Sequence, residues 1–384
     1  ALALLSSSAL PLEVPLLALL DALPARLRHA VVAAAWLFWR ALHRALPSRL
    51  ARRGLSAKLS LEAHALSNVF WWARVFPATI RRTRFALGQM DGTFPPSRQL
   101  RAEPVGATGS GLCSLYLHTS RGEADHCALL WLFGGAYVGG GVRATAGLAE
   151  RYGRKLGCDV FMADMRLCPE HSIQDAFADA YRGYEWLLSR FPPERIVVYG
   201  MSSGGGVALR VLQLAGATAE ERAACSLPPG PLPQPAGAVL CGPWVRYTTP
   251  SESMSRNPEL DLVVNPSLFE LLEPRMGEFC GGEARREWCS PLYHDMAGLC
   301  PLMVSVSEHE VCIDEDLELA QKARAAGVHV DVDLVQHMPH AFQWMAGFLP
   351  EADEAEDRIV DWVRGRGPAW RSSVGGEGVV QGAS

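Results

Sequence analysis

Residues 195–205 read Arg195-Ile196-Val197-Val198-Tyr199-Gly200-Met201-Ser202-Ser203-Gly204-Gly205, and this run decides the fold. Arg195–Tyr199 is a short, nearly continuous apolar stretch of the kind that forms a strand buried on both faces of a parallel sheet. A helical stretch follows, from Gly205 to Ala215. Between the two stands G-x-S-x-G, the nucleophile-elbow pattern. A turn that tight strains the serine backbone, and side chains two positions away on either side would collide with it, so both flanks are glycine. The turn lifts the Ser202 hydroxyl above the sheet and aims a helix N-terminus at it. The pattern alone is common, but its strand–turn–helix setting makes Ser202 a candidate nucleophile.

Outward from this run the same alternation repeats. Apolar runs at Cys127–Phe133, Asp159–Ala163, Ala238–Cys241, Leu302–Val306 and Val328–Val335 read as further buried strands. Helical stretches lie between and after them at Thr145–Leu156, Gln174–Arg190, Asp314–Ala326 and Glu354–Arg364. Gln99–Val105 and Leu112–His118 read as the arms of an antiparallel hairpin. Strand–helix alternation of this kind predicts a three-layer α/β sandwich. Two stretches interrupt it. Ala217–Pro235 is proline-rich and reads as a surface loop. Pro243–Leu299 is too long for a simple connection, holds a helical segment near Leu268–Met276, and reads as a lid over the strand ends.

The first quarter is chemically different. Residues 1–90 hold eleven arginines and Lys58 against Glu13, Asp21 and Glu62, a net of +9 in a chain whose total is −5, so the rest carries −14. Apolar residues recur there at helical spacing from Arg26 to about Leu87, with Trp36, Trp39, Trp71 and Trp72 among them, which predicts two to four helices. A basic, apolar segment points either to contact with an anionic membrane surface through residues 1–90 or to a helical cap with solvated arginines. Its longest apolar run, His29–Trp39, is shorter than the ~18–20 residues of a membrane span. The leucine-rich start, Ala1–Leu20, carries Glu13 and is broken by Pro11 and Pro15. The expected location is cytoplasmic or membrane-associated, with an organellar address left open by the arginine-rich leader. The ten cysteines form no CxxC pair, which argues against a zinc ribbon or a thioredoxin-type site, and they read as small buried hydrophobes. Nothing like a nucleic-acid recognition motif accompanies the positive charge.

Three further segments complete a candidate site. Phe133-Gly134-Gly135-Ala136-Tyr137 follows a strand, and backbone N–H groups in such a glycine-rich loop can meet a developing oxyanion unobstructed. Gly134, Gly135 and Ser203, the residue after the nucleophile, are the candidate donors. The loop lacks the Lys-Ser/Thr of a P-loop, and Gly139-Gly140-Gly141 is not a dinucleotide fingerprint. A serine hydroxyl needs a base to take its proton. His340, in Met338-Pro339-His340-Ala341-Phe342 after the last strand, fits the order Ser…acid…His, with His337 as its rival. The orienting acid should follow Leu302–Val306, where Glu308, Glu310 and Asp314 are available. Spacing from the strand end favours Glu310, and Asp314 is expected to cap the next helix.

These segments together resemble the hormone-sensitive-lipase-like family of α/β-hydrolases, over about Leu112–Phe348. The family's H-G-G-[GA]-[FWY] loop corresponds to Phe133–Tyr137, and its D-x-R-L-x-P-E segment stands intact as Asp164–Glu170. Its G-D-S-A-G-G elbow corresponds to Gly200–Gly205, its D-x-L-x-D-E to Glu310–Glu315, its H-[GA]-F to His340–Phe342, and Ser290-Pro291-Leu292 also fits. The resemblance implies an α/β-hydrolase sandwich with a mostly parallel sheet and a helical cap. It assigns 1–92 to an N-terminal cap or leader and 93–365 to the catalytic domain with a cap insertion at about 244–290, while the glycine- and serine-rich 366–384 reads as a flexible tail. It implies a serine esterase acting on lipophilic acyl esters through Ser202, His340 and Glu310, with no cofactor and no metal. Three positions depart from the pattern: Phe133 replaces a histidine, Met201 an acid, and Glu310 an aspartate. The first two lower the expected rate and leave a rival reading, a weakly active or inactive ligand-binding member of the same fold. Plant hormone receptors of this family lack the triad histidine, whereas His340 is present here.

Overall fold

The apolar runs pair into one eight-stranded sheet in the order β1-β2-β4-β3-β5-β6-β7-β8. Its strands are β1 (Arg101–Gly106), β2 (Cys113–His118), β3 (Ala128–Leu132), β4 (Asp159–Met162), β5 (Ile196–Met201), β6 (Gly237–Cys241), β7 (Leu302–Ser307) and β8 (Val330–Val335). The computed structural model describes residues 79–88, 96–106, 113–120, 127–264, 266–367 and 370, with Ala34, Leu37, Phe38, Ala41, Leu59, Ser60, Glu62 and Ala63. β1 and β2 form the expected antiparallel hairpin, and β2 also runs antiparallel to β4. All other neighbours are parallel. β3 through β7 are buried along their whole length, as continuous apolar runs require. β8 departs from that expectation. It is the sheet edge and is only partly covered: Val330 alone is fully buried, Leu334 is exposed, and Asp331 and Asp333 are half-buried and bonded to Trp362 and Arg358.

The helices cover both faces. Among them are α1 (Ile80–Gly88), α2 (Val142–Leu156), α3 (Ile173–Leu188), α4 (Ser203–Gly216), α5 (Ala219–Ala223), α6 (Glu252–Arg256), α7 (Pro266–Leu272), α8 (Met276–Phe279), α9 (Arg286–Cys289), α10 (Ile313–Ala325) and α11 (Pro350–Arg364). Gly153 of α2 lies against Val160, and Gly183 of α3 lies against the adjacent Phe161. Neighbouring strand residues point to opposite faces, so α2 and α3 sandwich the sheet. α11 joins α2 through the buried Glu356, whose two oxygens both accept from Arg151 Nε at 2.8 Å. α3 starts at a full capping box, Ser172 with Asp175.

The two interruptions fold locally. Ala217–Pro235 is more ordered than a plain surface loop. It holds α5, and the guanidinium of the buried Arg222 donates to the carbonyls of Ala217, Pro228 and Pro229. The long insertion after β6 carries α6 to α9, and the helix expected near Leu268–Met276 is α7 with a 3-10 continuation. Of the N-terminal quarter, α1 lies against the glycine loop. Arg84 donates to the carbonyls of Val138 and Cys168 at 2.6 and 2.8 Å and pairs with Glu170. Trp36, Trp39, Trp71, Trp72 and most of the expected N-terminal helices lie outside the described residues, as does the tail after residue 370. Among the described residues no helix is long and apolar enough to cross a membrane.

The strand order fixes where a ligand can sit. From β3 the chain moves to β4 on one side and then to β5 on the other, so the β3 and β5 carboxyl ends diverge at a topological switch point. In open α/β sheets that crevice is the binding position. It lies between the glycine loop and Ser202.

Candidate active site

Ser202 stands at the junction of β5 and α4 with φ 55 and ψ −125. Left-handed backbone of this kind is strained for a side-chain-bearing residue. Hydrogen bonds hold it: its N–H donates to Cys241 O at 2.8 Å, and its carbonyl accepts from Gly205 and Trp244 at 2.8 and 3.1 Å. A Cβ on Gly200 would lie 2.7 Å from Ala208 Cβ, and one on Gly204 would strike the carbonyls of Leu132 and Phe133. Both glycines are therefore demanded by close approach, as the elbow reading expects.

His340 Nε2 lies 2.7 Å from Ser202 Oγ, and His340 Nδ1 lies 2.7 Å from Glu310 Oε2. Glu310 and His340 are buried at 0% and 3% exposure. Glu310 uses its other oxygen to accept from Ser307 N at 2.8 Å, which locks the carboxylate toward the imidazole. The structure thus brings Ser202, His340 and Glu310 into one line of hydrogen bonds. Burial pulls the His340 imidazole down, but the Glu310 carboxylate and Asp261 outweigh it and hold the group above its ordinary value. Burial raises Glu310 against the charge of His340.

The other candidates fall elsewhere. His337 faces His309 and Glu308, at 3.3 Å from each. Asp314 does not cap α10. The cap position is Cys312, and the Asp314 carboxylate accepts from Ser253 N at 2.7 Å and pairs with Arg256. Gly134 and Gly135 sit across from the elbow, and a Cβ on Gly134 would lie 3.0 Å from Ser202 Cβ. Among the described residues no acceptor takes the N–H of Gly134, Gly135 or Ser203. Phe133, in the histidine's place, is 3% exposed and packs under Gly140. Tyr137 and Tyr247 share a hydroxyl–hydroxyl bond beside Trp244. Phe133, Tyr137, Met165, Leu167, Ala176 and Val207 line a small apolar cavity that reaches Ser203. Arg166 of the intact Asp164–Glu170 segment makes a bidentate pair with Asp179 at 2.9 Å.

Three supporting residues escaped the sequence reading. Gly242, just after β6, has φ +50, and a Cβ there would overlap Glu310 Oε2 and lie 3.1 Å from His340 Cε1. Asp261, fully buried in the insertion, accepts from His340 N and Val311 N, both at 3.1 Å, and from Val263 N. Asn257 donates to the carbonyls of Glu308 and Glu310, each at 2.9 Å. The insertion therefore braces both the acid loop and the histidine loop. Gly242 has a faint signal in the Gly242-Pro243 turn at a strand end. Asp261 has none, since Val311 and His340, the partners that tie it to the site, lie 50 and 79 residues away.

A profile of the α/β hydrolase fold matches residues 129–344. The chain is 30% identical over 243 residues to esterase LipU of Mycobacterium tuberculosis, covering 62% of this chain and 77% of that protein. It is 29% identical over 232 residues to an acetyl-hydrolase of Streptomyces hygroscopicus, covering 60% and 73%. Among solved structures it resembles an esterase from the bacterial hormone-sensitive lipase family, with TM-score 0.70 and 30% identity, covering 81% of this chain and 99% of that one.

Proposed function

The chain belongs to the α/β-hydrolases of the hormone-sensitive-lipase type and is a carboxylic ester hydrolase, and from that premise we propose that it cleaves esters of lipophilic acyl groups with Ser202 as nucleophile, His340 as base and Glu310 as orienting acid. The observation that carries this is the continuous relay, 2.7 Å at each step, from Ser202 through His340 to Glu310. Ser202 Oγ attacks the acyl carbon while its proton passes to His340 Nε2. Glu310 holds the imidazole with Nε2 facing the serine and stabilises the imidazolium. The tetrahedral oxyanion is met by the N–H groups of Gly134, Gly135 and Ser203, each such donor contributing about 3–4 kcal/mol in comparable sites. His340 returns the proton to the leaving alkoxide, giving an acyl-enzyme that water, activated by His340, then opens.

The acyl preference rests on the small cavity beside Ser203, where Phe133, Met165 and Leu167 are apolar and the guanidinium of Arg166, which also lines it, is already paired with Asp179 and Asp175. Phe133 steadies the loop by packing rather than by a histidine's hydrogen bond, which predicts a modest rate. The assembled relay favours this reading over an inactive ligand-binding protein. The test compares wild type with Ser202→Ala on p-nitrophenyl esters from acetate to long chains, together with labelling by a fluorophosphonate probe. Rates that exceed the variant's, with labelling confined to Ser202, support the proposal. Equal rates and unlabelled folded protein overturn it.

A further inference from the structure

Glu308, His309 and His337 take no part in the proton relay, yet their ligand-type atoms converge. His337 Nδ1 lies 3.3 Å from His309 Nε2 and 3.3 Å from Glu308 Oε1, and His309 Nε2 lies 3.7 Å from that same oxygen. The sequence assigns no metal ligands, because the serine-hydrolase chemistry it implies needs none, and Glu308-His309 and His337 are far apart in the chain. The pairing of β7 with β8 brings their loops together. The backbone beneath the three residues is already stitched: Ser307 Oγ accepts from His309 N and Met338 N, and Glu308 N donates to Val335 O. His337 adopts φ 64, a left-handed turn that glycine would make at less cost, and this turn is where its ring comes to face His309.

We propose that Glu308, His309 and His337 form a binding site for a divalent transition metal ion of the zinc type, which clips the acid loop to the histidine loop. In a tetrahedral site with ligands about 2.0–2.1 Å from the ion, two ligand atoms lie about 3.3 Å apart. Two of the three separations here equal that value, and the third is 3.7 Å. A point about 2.0–2.1 Å from all three atoms lies just off their plane, which places an ion within ligand distance of each and keeps an open face for water. Two imidazoles and one carboxylate suit zinc and its transition-metal neighbours rather than calcium or magnesium, which take oxygen ligands. His309 is nearly buried, whereas Glu308 and His337 are part-exposed at the rim, which leaves an entry path. The relay stays intact, because both Glu310 oxygens are already engaged by His340 and Ser307.

The test uses untagged, chelator-stripped protein titrated with Zn²⁺ by calorimetry, with thermal unfolding in parallel and Co²⁺ as a spectroscopic probe. The expected result is one equivalent bound, a tetrahedral Co²⁺ spectrum, and a melting temperature raised by about 3 °C at a hundredfold excess over Kd. His337→Ala and Glu308→Gln, both at part-exposed positions, should each weaken Zn²⁺ binding at least about tenfold. The metal-free melting temperatures report whether these variants remain folded. Failure of the wild type to bind Zn²⁺ at millimolar concentration overturns the proposal. So does unchanged affinity in both variants, or binding that is lost in His340→Ala while His337→Ala retains it.

Discussion

Gly242→Ala should disable the enzyme without touching a reacting atom. Two costs follow from the position. The backbone there has φ +50, and a left-handed alanine costs about 1–2 kcal/mol, a few degrees of melting temperature for a chain of this size. The second cost falls on the site. The new methyl carbon would overlap Glu310 Oε2 by about 1 Å, taking ~3.3 Å as the nearest ordinary carbon–oxygen approach. It would also press on His340 Cε1 and Nδ1 at 3.1 and 3.2 Å. Relief requires Glu310 or His340 to shift by a similar amount, which breaks the 2.7 Å bond between them. A misplacement of about 1 Å costs on the order of 10²-fold in rate, below the roughly 10⁴-fold lost when an orienting acid is disabled. The assay is kcat/KM on a short p-nitrophenyl ester, with thermal unfolding in parallel. Gly298→Ala is the matched control. It has φ +73 and open space around its Cβ position, so it should pay the backbone cost and keep full activity. A folded Gly242→Ala enzyme within about threefold of wild type, roughly 0.6 kcal/mol, would refute the packing of Gly242 beneath the acid–base pair.

Further predictions follow from the braces and from the buried charges. Asp261→Asn removes the acceptor of Val311 N and sets a donor against it, a loss of about 1–3 kcal/mol in stability. It should lower kcat more than it changes KM. Because Asp261 also helps to hold His340 above its ordinary value, the acidic limb of the rate profile should move to lower pH, a shift that a merely structural role would not produce. Burial pushes Glu315 up to about 8 from an ordinary 4.5. A carboxyl raised in the folded state contributes stability that is complete below the unfolded value and is lost as pH rises toward about 8, at up to about 1.4 kcal/mol per pH unit. Glu315→Gln should therefore flatten the decline in stability between pH 5 and 8, measured by urea unfolding at each pH. An unchanged slope would mean that Glu315 is ionised when buried.

The site was legible in the chain to the extent that its requirements are local. Gly200 and Gly204 are forced by a turn whose clashes involve residues at most a few positions or one strand away, so a five-residue pattern with its flanking strand and helix suffices to mark Ser202. Strands β3 to β7 are legible for a similar reason, since burial on both faces leaves a continuous apolar run. β8 was misjudged because an edge strand needs only one buried face, and its two aspartates are satisfied by α11, an element the run itself cannot announce. Asp314 failed as a cap for a related reason. A carboxylate near a helix start has a local use, but α6 offered Ser253 N and Arg256, and the tertiary partners won.

The supporting shell was illegible because it acts only across the fold. Asp261 looks like any solvated acid in a Pro258-Glu259-Leu260-Asp261 stretch, yet it is fully buried and ties His340 to Val311. This changes the meaning of the insertion after β6. A lid that merely covered the strand ends could open without cost to the chemistry. Here Asn257 and Asp261 hold both loops that bear Glu310 and His340, so displacing the segment from Asn257 to Val264 would loosen the acid and the base together. The first part of the insertion is therefore seated as part of the catalytic scaffold rather than as a cover over it.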